Sequence, residues 1–282
     1  MTVPEALLTA YLCSTCGTQF APSRQVPERC PICEDDRQYV GHQGQQWTTL
    51  AQLQQDHRNR IEQQEAGLYG IGTEPAFAIG QRALLVQSGS GNLLWDCISL
   101  IDESTIQALK ALGGIAAIAI SHPHYYSSAV EWAHAFGAPL YLHEADRRWV
   151  MRPDAAIHFW AGDTLQVQQE ITLIRAGGHF PGGTLCHWAT GTEGRGTLLS
   201  GDIIQVVADR AWVSFMYSYP NLIPLPATKI RQIVHAVEPY EFDRVYGAWW
   251  QAIVASEAKA SVHRSADRYI RAIEGRHPQA SR

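Results

Sequence analysis

A run with no polar interruption, IAAIAIS at 115–121, opens directly onto His122-Pro123-His124, and this junction restricts the fold more than anything else in the chain. An apolar run of strand length that follows a helical pattern reads as an internal strand buried in a sheet. Such a strand needs covering layers, which points to an α/β architecture. Pro123 holds His122 extended and fixes its own φ, and residues two apart in an extended segment face the same side. Two imidazoles are thereby presented as a stiff pair, an arrangement suited to a metal ion.

The surrounding pattern agrees with that class. ALLVQ (83–87) and NLLWD (92–96), separated by SGSG, read as a hairpin. A helix is expected from about 103 to 112, started by Asp102 or Ser104 and stopped at Gly113 and Gly114. A second, over about 128–136, ends at Gly137 before the strand PLYLH (139–143). TLQVQQEITLIRA, TLCHWAT and TLLSGDIIQV repeat the theme, followed by a helix at about 227–237, the strand FDRVYG and an amphipathic helix over about 252–274. With 282 residues, one large domain plus an appendage fits better than two equal halves.

Within this chain no apolar run approaches the roughly 18 residues that span a bilayer. The opening MTVPEALLTAYLC lacks the pattern of a signal peptide, so the expectation is a cytoplasmic protein without a membrane partner. A net charge of −5 with both signs interspersed gives no footprint for a polyanion and argues against nucleic acid.

Four of the six cysteines form two pairs, Cys13-x-x-Cys16 and Cys30-x-x-Cys33, while Cys97 and Cys186 stand alone in apolar contexts. Four thiolates at these spacings satisfy a tetrahedral ion, and zinc is the expected one. Gly17 and Pro31 suit the tight turns of such knuckles. The segment resembles zinc ribbons and also rubredoxin, from which it departs by its short spacer and by Glu34 after the last cysteine. The expected domains are therefore a zinc-ribbon knuckle over 1–41 that folds on its metal and offers a surface for a protein partner, a linker helix over 42–66 opened by a Thr49/Gln52 capping box, and a main domain over 67–282.

Two more residues converge on the histidine pair: His179 inside the glycine-rich GGHFPGG, and Asp202 after the strand TLLSG. HPHYYS, GGHFPGG and LLSGD, with Asp96 ending NLLWD, occur in the order and rough spacing of the metallo-β-lactamase superfamily, which the chain resembles over about residues 67–250. The resemblance implies an αββα sandwich of glyoxalase-II-like metallohydrolase type. It implies His122, His124, His179 and Asp202 as metal ligands, with zinc or alternatively iron. The family's HxHxDH has lost its aspartate and last histidine to Tyr126 and Ser127, and the final histidine is replaced within Ala248-Trp249-Trp250. One main-site ion is the consequence. The expected activity is hydrolysis of an ester- or thioester-like small molecule, with Asp202 taking the water's proton or orienting the hydroxide and Tyr126 donating to the developing oxyanion. Two alternatives remain: a mononuclear iron oxidoreductase similar to persulfide dioxygenases, and a non-catalytic binding protein built on a degenerate site.

Overall fold

The computed structural model describes residues 8–276; the first part of the opening stretch, 1–7, and the tail, 277–282, lie outside the described residues. The chain divides into two compact units, one of residues 1–142 with 147–159 and the other of 143–146 with 160–282.

The first unit is built on seven strands in the order Arg58–Glu65, Leu68–Glu74, Ala83–Val86, Leu93–Trp95, Ala117–Ala119, Leu140–His143 and Ile157–Trp160. Ala83–Val86 and Leu93–Trp95 form the expected hairpin, and Leu93–Trp95, Ala117–Ala119 and Leu140–His143 run parallel. Parallel strands covered on both faces are apolar throughout, and Ala117, Ile118 and Ala119 are all buried. Helix Glu103–Ala111 starts as expected, with Asp102 accepting from the Thr105 N–H at 2.7 Å. Helix Ala129–Phe136 ends on Gly137 at φ 63°, a left-handed cap that suits glycine.

The cysteine segment is welded into this unit. Strand Tyr11–Cys13 pairs with Trp47–Thr49, and Leu12 is buried with Leu53 and Leu100. Burying a leucine contributes about 1.5–3 kcal/mol, so residues 8–41 draw on a core that they share with later elements. The linker helix expected over 42–66 is confined to Leu50–Asp56, with the Thr49/Gln52 capping box in place. Arg58–Glu65 is instead an edge strand on Leu68–Glu74. In RNRIEQQE alternate residues are exposed near its start, the period of a strand, and an apolar neighbour to pair with overrides local helix preference.

The second unit has six strands in the order Thr164–Gln168, Ile171–Arg175, Thr184–Trp188, Thr197–Gly201, Arg244–Gly247 and Ile253–Val254, of which Thr197–Gly201 and Arg244–Gly247 are parallel. Helix Ala227–Val237 buries Ile230, Ile233 and Val237 at helical spacing against this unit's core. The C-terminal helix begins at Ala258 rather than near 252, because Ile253 and Val254 extend the sheet. Among the described residues no helix is long and apolar enough to cross a membrane.

Candidate metal centres

Cys13, Cys16, Cys30 and Cys33 are all buried, with their sulfurs within 4.8 Å of one another and none in a disulfide. Sγ of Cys13 stands 3.5 Å from that of Cys33, and Sγ of Cys16 stands 3.7 Å from that of Cys30. Four sulfurs at about 2.3 Å from a tetrahedral ion would stand about 3.8 Å apart, so the spacing fits. Hydrogen bonds from the neighbouring thiols hold Cys13 far below the usual thiol range, and the bond to Cys13 pushes Cys16 and Cys33 far above it. Thiolates this crowded coexist only around a cation. Gly17, at φ 80°, makes the turn after the first pair, and its N–H donates to the Cys13 carbonyl at 2.8 Å.

Asp96 and His122 stand just beyond the carboxyl ends of two adjacent parallel strands, the usual location of sites in α/β sheets. Asp96 accepts the Ser121 N–H at 2.8 Å, and Ser121 Oγ lies 2.9 Å from His122 Nδ1. That contact fixes the imidazole and makes Nε2 the nitrogen it offers. Burial pushes the Asp96 carboxyl up to about 7, against the Ser121 N–H, which favours the ionised form. His122 is extended as expected, but Pro123–Tyr125 then turns as a 3₁₀ helix. The turn, rather than an extended segment, brings the rings of His122 and His124 to 5.2 Å between centroids.

His179 is held by a turn that closes on itself, with the Ala176 and Gly177 N–H groups both donating to the Gly183 carbonyl at 2.8 Å. Gly178 has φ 83°, and a Cβ there would stand 2.7 Å from Ile233 Cδ1, so glycine is needed on two counts. His179 Nδ1 donates to the Tyr217 carbonyl at 2.7 Å, which again presents Nε2. Asp202 follows strand Thr197–Gly201, and its carbonyl accepts the Tyr219 hydroxyl at 2.7 Å. Burial first, then the Asp202 charge, pushes the Tyr219 phenol well above its usual range.

His122, His124, His179 and Asp202 are all buried and each offers one ligand atom, and these four atoms lie within 4.8 Å of one another. Two ligands on one ion at about 2.2 Å stand at most about 4.4 Å apart, and three imidazoles with one carboxylate are a donor set suited to a single ion.

At the motif positions that the sequence marks as lost, Ser127 and Tyr126 have neighbours in the first unit. Ser127, at φ 45°, donates to the Cys97 carbonyl at 3.3 Å and accepts from Gln81 Nε2 at 3.1 Å. Tyr126 is 7% exposed and lines a small cavity with Ile120, Val130, Leu140 and Leu142. Trp249 and Trp250 follow strand Arg244–Gly247, the parallel neighbour of the strand that leads to Asp202, which is where a final ligand would stand. Other histidines have structural partners: His143 at the Gly162 carbonyl, His187 at the Glu241 carbonyl and His134 at Asp154. Burial lowers the pKa of His143 and His187. Cys97 and Cys186 are fully buried.

The orienting contacts of Ser121, Tyr217 and Tyr219 were missed in the sequence. For Tyr217 and Tyr219 the signal was the aromatic and proline-rich stretch 214–226, which reads equally well as ordinary packing, and Ser121 had none.

No family model matches the sequence. It is 54% identical over 265 residues to the uncharacterized protein YmaE of Bacillus subtilis (strain 168), covering 93% of this chain and 96% of that one. Among solved structures it is similar to VMB-1, at 12% identity and a TM-score of 0.59 over 77% of this chain and 98% of that one. The metallo-β-lactamase DIM-1 matches at 14% identity and a TM-score of 0.59, over 76% of this chain and 98% of that one. The metallo-β-lactamase FIM-1 from Pseudomonas aeruginosa, in its mono-zinc form, matches at 15% identity and a TM-score of 0.55, over 74% of this chain and 95% of that one. Likeness at these identities defines the fold.

Proposed function

The chain belongs to the family of Bacillus subtilis YmaE and has the metallo-β-lactamase fold, and from that premise we propose that it is a metal-dependent hydrolase of an ester- or thioester-like small molecule. The observation that carries this reading is the buried set His122, His124, His179 and Asp202, gathered within 4.8 Å. Three imidazoles and a carboxylate suit zinc or iron(II), and four thiolates in the knuckle suit zinc. When bound, a divalent ion supplies Lewis acidity, polarising a carbonyl and lowering the pKa of water to about 7.

The chain supplies orientation and a proton acceptor. Ser121 and the Tyr217 carbonyl fix the rings of His122 and His179 through their Nδ1 atoms. Tyr219 anchors the backbone of Asp202, whose carboxylate accepts a proton from the attacking water. A mono-metal site follows from the residues at the lost positions, since a phenol, a hydroxyl committed to the Cys97 carbonyl and an indole are poor ligands near neutral pH.

A panel of esters and thioesters tests the reading. Turnover should require metal, disappear in His179→Ala and fall about 10²- to 10⁴-fold in Asp202→Asn. Hydrolysis that continues unchanged in His179→Ala contradicts the assignment, and oxygen uptake on a persulfide by iron-loaded protein would replace it with an oxidoreductase.

A further inference from the structure

The turn that closes the cysteine knuckle is bonded to the loops that carry Asp96 and the His122/His124 pair. Ser99 Oγ donates to the Gly17 carbonyl at 2.8 Å, and the Gln19 N–H donates to the Ser127 carbonyl at 2.9 Å. The two loops are laced to each other as well, through Ser127 Oγ to the Cys97 carbonyl and Ser128 Oγ to the Ser99 carbonyl at 2.8 Å. Asp96 and Ser121 close the far end of the lace. Gln19, Asp96, Ser99, Ser127 and Ser128 are each 5% exposed or less, so these bonds lie out of water. Gly17 leaves no slack: a Cβ there would stand 2.5 Å from Ser99 Oγ. The turn follows directly on Cys16, whose sulfur is one of the four gathered within 4.8 Å.

We propose that the cysteine knuckle is a positioning element for the His/Asp site: its ion fixes the Gly17–Gln19 turn, the turn fixes the loops at 96–99 and 121–128, and the affinity of the His/Asp site for metal falls when the knuckle is empty. The proposal rests on the His/Asp set as a metal site and not on its hydrolytic role. Coupling of this kind is reciprocal, so filling the His/Asp site tightens the knuckle by the same factor.

Cobalt(II) titration of the full-length metal-free protein against a chelator separates the two sites, because thiolate charge-transfer bands arise only in the knuckle. Ser99→Ala cuts one link and touches no ligand. With its knuckle filled, it should bind cobalt at the His/Asp site about 10-fold more weakly, the low end of what lost supporting contacts cost a metal site. Cys30→Ser should weaken that site further. Knuckle affinity should differ between the filled and emptied His/Asp site by the same factor that the knuckle exerts in return. If Cys30→Ser does not fold, Gln45→Ala decides, since it removes no ligand, only the 3.2 Å bonds to Cys13 Sγ and to the Gln46 carbonyl, and can be read at cobalt levels that leave its knuckle empty. Unchanged His/Asp affinity in Ser99→Ala and in a knuckle-empty variant overturns the proposal. Because affinity is the readout, that failure leaves the hydrolase reading untouched.

Discussion

Replacing Asp96 by asparagine should change how stability depends on pH. Asp96 is 1% exposed, and burial raises its carboxyl from the ordinary 3.8 to about 7. Between those values the folded state binds a proton that the unfolded state has released, so stability falls as pH rises through the window and levels off above it. A rise of about three units at about 1.4 kcal/mol each sets an upper value of about 4 kcal/mol for this loss. Asparagine can still accept the Ser121 N–H but carries no charge. The stability difference, variant minus wild type, should therefore grow by up to about 4 kcal/mol from pH 4 to pH 7.5. Denaturant midpoints of the two metal-free proteins, measured across that range with unchanged m-values, give the curve. A difference that stays constant, or that shrinks as pH rises, would refute the burial argument.

Gly178→Ala should cost about 1–3 kcal/mol for a β-carbon at positive φ, and more if Ile233 cannot yield; His179 metal affinity should fall with it, read by chelator competition. Tyr126→Phe should lower kcat by about 10²-fold or more with metal content unchanged, as loss of an oxyanion donor requires, and near-normal turnover would show the phenol to be a packing residue. Ser128→Ala strips a buried hydroxyl from the Ser99 carbonyl and should destabilise the protein by about 1–3 kcal/mol in the same denaturation assay.

Most elements of the layered domain were legible because their signals are local. Asp102 caps one helix, Gly137 ends another, and the periodicity of ATKIRQIVHAV gives the bounds of a third. The two clusters of candidate ligands were legible too, since CxxC pairs and histidines placed after strands carry their spacing in the sequence. What the sequence concealed is non-local. RNRIEQQE becomes a strand only because LYGIGTE lies beside it. The cysteine segment reads as an appendage because its own apolar residues are few, and nothing in that stretch announces that Leu12 shares a core with Leu53 and Leu100. Backbone carbonyls such as those of Gly17 and Tyr217, which orient the site, leave no mark in side-chain pattern at all.

The measurement that bears most directly on the account is an anomalous-scattering map from crystals of carefully purified protein, collected at the zinc and iron edges. The account predicts two ions per chain, zinc among the sulfurs of Cys13, Cys16, Cys30 and Cys33 and one zinc or iron among His122, His124, His179 and Asp202, with the second peak lost in His179→Ala. A third ion beside Asp202, or density among the sulfurs alone in a metal-replete crystal, would contradict it.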